Sequence, residues 1–350
     1  EFYFNNGTDW TPYTTGLVRN SVGVNRIRHV KFNFNGTEKI LFVDGVNPAC
    51  IYDGTDWTEI EAANTGADFA NAGGNQTIDN PEFVTVFKNH IFFSKGNLVV
   101  HSAPLAEYDW TVASGAGQIP VGFETVQIRP FRDTLFVFGT TDIKSITTSN
   151  TDFVLNDVTS DIGCLASDSV IEINGNLLFL SQDGMRPIAG TDKVNDVEIS
   201  SISRKIQSTV ASLISNSDMT QVISVLIRCK SQFRTFFSSD AISRQETQGI
   251  IGCIRSLSGE TSWEWGRIKG IRVSCATSEY IGTTEYIIHG DYDGRVYRQE
   301  TGNSFAGDPV TAIYSTPYFD FGDAGVRKTM RKIILFARPE GNMLINYNVS

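Results

Sequence analysis

Short apolar runs, each followed by a polar turn, recur along the whole chain. Most of these runs span three or four residues, which is typical of strands and too short for a helix. The turns after them contain Asp, Asn or Gly, as in Asp44-Gly45 and Asp183-Gly184, and these residue types suit tight connections between strands. The six runs are Ile40–Val43, Ile91–Phe93, Leu135–Phe138, Leu177–Leu180, Phe236–Phe237 and Tyr286–Ile288.

The spacing of these runs predicts a repeated architecture. Measured from residue 41, successive runs lie about 50, 44, 43, 58 and 52 residues apart. One four-stranded blade of a β-propeller occupies roughly 40–50 residues. The sequence therefore predicts an all-β fold, a β-propeller of about six diverged blades formed by residues 1–315.

A second register of similar period consists of an acidic residue followed by an aromatic one. Its first two copies lie in closely similar turns, NGTDWT at residues 6–11 and DGTDWT at residues 53–58. A large ring at one point of each repeat can wedge between neighbouring sheets, where it buries a large apolar area. We expect these rings to be structural anchors of the repeat: Trp10, Trp57, Trp110 and Phe153.

One segment departs from the strand pattern. Apolar residues at helical spacing predict an amphipathic helix over residues 201–214, inserted in the propeller at about 199–216. Ser200 or Ser201 is the expected N-cap. The apolar face of this predicted helix comprises Ile202, Ile206, Val210 and Leu213.

The pattern changes again after about residue 315. Two long strands are predicted there, and residues 316–350 are expected to start a separate β-hairpin or platform element. Because the last strand-like run, at residues 342–347, reaches almost to the end of the sequence, we expect the chain to be a segment of a longer polypeptide. A group of basic residues in this region is expected to contact an acidic neighbouring subunit. Its members are Arg327, Lys328, Arg331 and Lys332.

Composition and charge narrow the choice of function. The 350 residues include 31 Gly, 23 Phe and 11 Tyr but only 4 Met, which favours strands and turns. A formal net charge of -10 argues against a protein that grips nucleic-acid phosphates. The five cysteines include no C-x-x-C pair, so we expect neither disulfides nor a zinc site, but small apolar residues of a reducing compartment. No stretch approaches the roughly 18 apolar residues of a membrane span, and no membrane segment is expected.

The sequence carries no motif of a known catalytic or cofactor site. It has no G-x-S-x-G elbow, no P-loop and no G-x-G-x-x-G. The run DYDG at residues 291–294 resembles the start of a calcium loop but lacks its Glu at the twelfth position, and it predicts a hairpin turn instead. We therefore predict a protein that is not an enzyme and has no cofactor, metal or catalytic residue. No second histidine at metal-ligand spacing accompanies any of the four, His29, His90, His101 and His289.

The segment 120–215 combines several motifs in a fixed order. DIGC at residues 161–164 precedes an apolar strand, FLSQDGMR follows at residues 179–186, and the predicted helix comes next. This order resembles a signature of tail hub proteins of short-tailed phages (podoviruses), the nozzle, tail tubular or DNA-stabilisation proteins. The preceding runs, FETV at residues 123–126 and FRDTLFVFGT at residues 131–140, look like the blade that comes before it in that family.

The resemblance implies a structural component of a viral tail. Such a subunit would join further copies of itself in a ring, a homohexamer, that helps to seal and then conduct the genome during DNA ejection. The implied partners are the adaptor on the portal side and tail fibre or spike proteins, and DNA would pass through the lumen without specific binding. The implied location is the tail of the virion, after assembly in the host cytoplasm. An acidic lumen would repel the DNA backbone, so the net charge suits this role.

Two other functions remain open from the residues. One is a carbohydrate-binding or glycoside-hydrolase-type β-propeller, in which Trp263 and Trp265, two apart on one strand face, would stack on sugars. The other is a cellular scaffold that binds peptides on its rim. A hydrolase would need two carboxylates close together. Its candidates are dispersed along the chain, namely Glu124, Asp133, Glu172 and Glu264.

Overall fold

The structure is a computed structural model of the chain. It describes residues 2–5, 9–13, 19–23, 26–61, 65, 78–150, 152–188, 201–238, 247–257, 260–302, 304–305, 307–310, 313, 322–323, 325–329, 331–332, 334 and 336.

Six antiparallel sheets, each built from strands that follow one another along the chain, form the blades of a propeller. The prediction of an all-β propeller with six blades is confirmed. Each predicted apolar run lies in the second strand of a blade. The strands of blades 1–3 are β3 (Arg28–Phe32), β4 (Lys39–Val43), β5 (Ala49–Tyr52) and β6 (Trp57–Ile60); β7 (Phe83–Phe87), β8 (His90–Lys95), β9 (Leu98–His101) and β10 (Gly117–Pro120); and β11 (Gln127–Phe131), β12 (Thr134–Phe138), β13 (Ile143–Ser149) and β14 (Asp152–Thr159).

Blades 4 and 6 have three strands among the described residues, and blade 5 has four. The longest strands of the described chain form the outer hairpin of blade 5. The strands of these blades are β15 (Ile171–Ile173), β16 (Asn176–Ser181) and β17 (Gly184–Pro187); β18 (Ile223–Ile227), β19 (Gln232–Ser238), β20 (Thr247–Leu257) and β21 (Glu260–Ile271); and β22 (Cys275–Ile281), β23 (Thr284–Gly290) and β24 (Val296–Arg298).

Two small hairpins lie outside these six sheets. The first pairs β1 (Phe2–Asn5) with β2 (Trp10–Tyr13), and the second pairs β25 (Ser304–Phe305) with β26 (Asp308–Pro309). The described residues after 315 lie in no strand, and most of the predicted element at 316–350 lies outside the described residues. Its β structure stays a prediction.

The first strands of the blades lie nearest the axis of the ring. β3 contacts β7, β7 contacts β11, and β18 contacts both β15 and β22. The ring is closed by a bond between residues far apart in sequence, because the Arg26 side chain, just before β3, donates from Nη1 to the carbonyl of Ser274, just before β22, at 3.0 Å.

Apolar side chains fill the seams between consecutive blades. Large buried clusters occupy the seams between blades 1 and 2, 2 and 3, 3 and 4, 4 and 5, and 5 and 6. No such cluster occupies the seam between blades 6 and 1 among the described residues. Successive side chains of a strand point to opposite faces of its sheet, so a blade with apolar residues on both faces can pack against the blade before it and the blade after it.

The inserted helix is shorter than predicted. A 3-10 turn at Arg204–Ile206 leads into α1 (Gln207–Ser215), whose Val210 and Leu213 pack into the seam between blades 4 and 5. Of the two predicted N-cap residues, Ser200 lies outside the described residues. Ser201 is not the N-cap, since no side-chain capping bond forms at either helix start and its hydroxyl contacts Met185 and Ser203. Other 3-10 turns lie at Val112–Ser114, Met219–Gln221 and Arg228–Lys230.

Candidate functional site

Two of the four predicted ring anchors are wedges between blades. Trp110 is fully buried in the seam between blades 1 and 2 and stacks on Phe93, with ring centroids 4.9 Å apart. Phe153, on β14, packs between blades 2 and 3 with its ring centroid 5.1 Å from that of Phe92 and 4.7 Å from that of His101. Both rings thus lie between neighbouring blades.

The other two anchors lie elsewhere. Trp57 begins β6 and stacks on Phe42 and Tyr52 of its own blade, at 5.7 and 4.7 Å between centroids. Trp10 is 54% exposed on the hairpin β1–β2, which is not part of a blade. The prediction of a wedge is therefore wrong for Trp10, because a turn can be copied in sequence without a neighbouring sheet to receive its ring.

The basic group at residues 327–332 is exposed. None of its four side chains forms an ion pair with a described residue. Its contact with a second subunit stays a prediction. The residues concerned are Arg327, Lys328, Arg331 and Lys332.

The motif at residues 179–186 and the start of the helical insertion form one unit. The backbone N–H of Met185 donates to the Ser203 hydroxyl at 3.0 Å, and the N–H of Ile202 donates to the Met185 carbonyl at 3.0 Å. Gly184 has a φ of +130° and leaves room for Ser201 and Ser203, since a Cβ there would collide with the Ser203 hydroxyl. Arg186 pairs with Asp183 across the same turn, at 2.7 Å from its Nε and 2.5 Å from its Nη2.

Side chains from several blades meet at the axis. Arg28, on β3, donates from Nε and Nη2 to the two carboxylate oxygens of Asp168, at 3.2 and 3.1 Å. The same guanidinium donates to the Ser167 hydroxyl at 2.7 Å and to the Glu82 carbonyl at 3.3 Å. One side chain of blade 1 thus joins the segments that lead into blades 2 and 4, across the middle of the ring.

A second arginine approaches the same carboxylate. Arg26 Nε lies 3.1 Å from an oxygen of Asp168, although the geometry does not make a hydrogen bond. Two guanidinium groups thus share one carboxylate in a largely buried place, with 9–15% of each side chain exposed. The Asp168 backbone also takes part, since its carbonyl accepts from Ser224 N–H at 2.8 Å and so ties blade 4 to blade 5.

The seam between blades 5 and 6 contains a cavity of about 470 Å³. Isoleucines of β20 and β21 and Val310, which follows β26, form its apolar lining, and arginines and Glu300 also line it. This volume lies within the roughly 300–1,000 Å³ of typical small-molecule sites. The lining includes Ile251, Ile268, Ile271, Val310, Arg234, Arg295 and Arg298.

A polar chain runs through one wall of this cavity. Arg234 donates from Nη1 to Oε1 of Gln299 at 2.7 Å, and the amide nitrogen of Gln299 lies 3.2 Å from Nδ1 of His289. The imidazole stacks on the Tyr297 ring, with centroids 5.1 Å apart, and the Tyr297 hydroxyl donates to Asp291 at 3.1 Å. Burial lowers the pKa of His289.

The DYDG run forms the turn that supports this wall. Asp291 Oδ1 accepts from the backbone N–H of Asp293 at 2.9 Å and of Arg295 at 2.8 Å. The prediction of a hairpin turn at this point, between β23 and β24, is confirmed. Among the residues that the structure describes, no group of three or more His, Cys, Asp or Glu could hold a metal ion.

The cysteines differ in their exposure. Cys50 and Cys164 are buried, and burial raises the pKa of each thiol to about 11. Cys253 is half-buried, and Cys229 and Cys275 are exposed. Cys229 lies in the 3-10 turn Arg228–Lys230, and Cys275 begins β22.

The two tryptophans of the carbohydrate hypothesis pack inward. Trp263 and Trp265 share one face of β21, as predicted, and stack on each other at 5.8 Å. Both also make edge contacts with the buried ring of Phe233 in the seam between blades 4 and 5. Two of the hydrolase candidates are held in ion pairs, Asp133 with Lys88 at 2.6 Å and Glu264 with Arg255 at 3.2 Å.

Comparisons with known proteins find no relative by sequence and only weak likenesses to solved structures. No family model matches the chain, and no curated protein matches it. The N-terminal domain of Nup159 has 11% identity over 74% of this chain and 71% of its own length, with a TM-score of 0.38. An extracellular domain of a one-component system from B. thetaiotaomicron has 11% identity and a TM-score of 0.43 over 78% of this chain, which spans 32% of that longer protein. Hsv2 of Kluyveromyces lactis has 11% identity over 68% and 72% of the two chains, with a TM-score of 0.35.

At such identities and TM-scores the likeness says nothing about function. The order of strands in the six sheets establishes by itself that the chain is a six-bladed β-propeller. In the described part of the chain, no helix is long and apolar enough to cross a membrane.

Proposed function

We propose that the chain is a structural component of a viral tail, a ring-forming nozzle or hub subunit that helps to seal and then conduct the genome during DNA ejection. The observation that carries this proposal is that the two parts of the sequence signature contact each other. The turn of the FLSQDGMR motif and the start of the helical insertion hold each other through Met185 and Ser203. Two motifs that occur together in the tail hub family thus have a physical reason to occur together here.

The axis of the propeller supports a particular path for the genome. Arg26 and Arg28 cross the middle of the ring of blades to reach Asp168 and Ser167. A duplex could not pass through such an axis without breaking these bonds. In the proposed assembly, DNA therefore runs through the lumen between subunits, and each propeller is a solid building block of the wall.

The charge of the chain suits such a wall. With a formal net charge of -10, copies of this chain around a lumen repel a phosphate backbone, so that DNA slides without sticking. The exposed basic group at residues 327–332 is the proposed contact with an acidic neighbouring subunit. Further partners in this proposal are the adaptor on the portal side and fibre or spike proteins.

The test is the assembly state of the full-length protein, alone and mixed with an adaptor protein of the same virus. Sedimentation velocity and negative-stain microscopy should show a six-fold ring in at least one of the two conditions. A strictly monomeric particle in both conditions would contradict the proposal. Retention of labelled duplex DNA by the acidic ring at physiological salt would contradict the part of the proposal that concerns the lumen.

A further inference from the structure

One side chain in the wall of the cavity between blades 5 and 6 is a hydrogen-bond donor. The neighbouring hydrogen bonds determine which of its atoms carries the proton. Arg234 can only donate, so the Gln299 atom 2.7 Å from it is the amide oxygen. The amide nitrogen of Gln299 therefore faces Nδ1 of His289, 3.2 Å away, and donates to it. Because Nδ1 accepts, the proton of the neutral imidazole lies on Nε2.

The Nε2–H of His289 has no acceptor among the described residues, although 93% of the residue surface is buried. The imidazole is also held in place on its flat side, since it stacks on Tyr297, whose hydroxyl is bonded to Asp291. Arg234 polarises the Gln299 amide, which strengthens its bond to the imidazole. The result is a rigid, neutral donor in the cavity wall.

The surroundings of this donor favour a negative ligand with an apolar body. Arg295 and Arg298 line the cavity and are exposed, and neither forms an ion pair with a described carboxylate within 4.0 Å. The other charged groups of the lining are already paired, Glu300 with Lys230 and Arg234, and Arg272 with Asp293. Arg298 lies over the Tyr286 ring, 4.0 Å from its centroid. The isoleucines of β20 and β21 form the opposite, apolar part of the wall.

We infer that this cavity binds a small organic carboxylate, with one carboxylate oxygen accepting from His289 Nε2–H, the charge facing Arg298, and the apolar body against Ile251 and Ile268. This inference does not rest on the proposed assembly into a ring. A carboxylate is preferred over a neutral amide because the exposed arginines of the lining attract a negative charge.

Benzoate is the probe, and benzamide is its neutral counterpart of nearly equal size. The full chain is titrated with each, and binding is followed by ligand-observed NMR and by calorimetry. The cavity should bind benzoate with a dissociation constant on the order of millimolar, as expected for a ligand of this size. Benzamide should bind at least about ten-fold more weakly, because it brings no charge to the arginines.

Two variants and one control locate the binding. His289→Phe keeps the stacking on Tyr297 but removes the donor, and Arg298→Gln removes an exposed charge without touching the interior. Each should weaken benzoate binding about ten-fold. His101→Phe, a buried histidine in the seam between blades 2 and 3, should leave it unchanged. Equal affinity for benzoate and benzamide, unchanged binding in Arg298→Gln, or no saturable binding by the unaltered protein would overturn the inference.

Discussion

The backbone N–H of Met185, on β17, is bonded to the hydroxyl oxygen of Ser203, 3.0 Å away, just before the 3-10 turn that leads into α1. Ile202 completes the contact by donating to the Met185 carbonyl at 3.0 Å. The turn of one motif and the first residues of the next are thus a single folded unit. It lies beside the apolar cluster that joins blades 4 and 5.

Gly184→Ala should disrupt this unit. The substitution places a Cβ against the Ser203 hydroxyl and forces a non-glycine residue to a φ of +130°, so we expect a loss of about 2–4 kcal/mol in the free energy of unfolding. Urea denaturation followed by Trp fluorescence measures it. The matched control is Gly175→Ala, at a φ of +69° with open space around it, which should cost only about 1 kcal/mol. Equal losses in the two variants would show that the contact with Ser203 does not matter.

Asp168→Asn should weaken the closure of the ring. It removes the one carboxylate that two largely buried guanidinium groups share, so we expect about 2–4 kcal/mol of destabilisation in thermal and urea unfolding. Asp133→Asn removes the partner of Lys88 at a side chain that is 91% exposed, and it should leave the unfolding midpoints unchanged, because solvent screens such a pair. A stable Asp168→Asn protein would mean that the axis contributes little to closure.

The predicted aromatic anchors should differ in how much they stabilise the folded protein. Trp110→Ala empties a fully buried, stacked position and should cost about 3–5 kcal/mol. Trp10→Ala, on a hairpin outside the blades and 54% exposed, should cost less than about 1 kcal/mol. Denaturation midpoints of the two variants decide the matter, and a similar large loss for Trp10 would place that hairpin in the core.

Acid should destabilise the protein through His101. Burial lowers the pKa of this histidine from 6.5 to about 4, so between these values the unfolded chain binds a proton that the folded chain does not. The free energy of unfolding therefore decreases as the pH falls from 7 towards 4, by up to roughly 3 kcal/mol from this residue. His101→Phe should show a shallower pH dependence in urea midpoints measured at pH 7 and pH 5. An unchanged slope in that variant would assign the effect to other groups.

Neutralising the exposed basic group should weaken assembly of the proposed ring. Replacing Arg327, Lys328, Arg331 and Lys332 by Gln removes the charge that faces an acidic neighbour, so sedimentation at low salt should shift from rings towards single subunits. High salt should produce the same shift in the unaltered protein. Arg204 and Lys205, exposed at the start of the helical insertion, provide the control pair whose neutralisation should change nothing. Intact rings in the first variant would exclude this group as the contact.

Much of the propeller could be predicted because its repeat is written in local patterns. The apolar runs coincide with the second strand of every blade, and the helical spacing of Val210 and Leu213 correctly predicted which face of the insertion is buried. The turn at residues 291–294 was also predictable, since Asp and Gly determine such turns by bonds within a few residues. The resemblance to tail hub proteins adds a proposed function that these patterns alone do not contain.

What the sequence determined by itself is therefore the number and order of blades, because strand alternation and turn chemistry act between near neighbours. The tertiary structure alone decided that Arg26 meets Ser274 across 248 positions, that Arg28 reaches Asp168, and that His289 faces a cavity. It also decided that Trp110 is buried whereas Trp10 is not, although both follow an Asp in the same register. The physical reason is that burial and pairing of a side chain depend on the sheet that closes over it, and that sheet comes from a distant part of the chain.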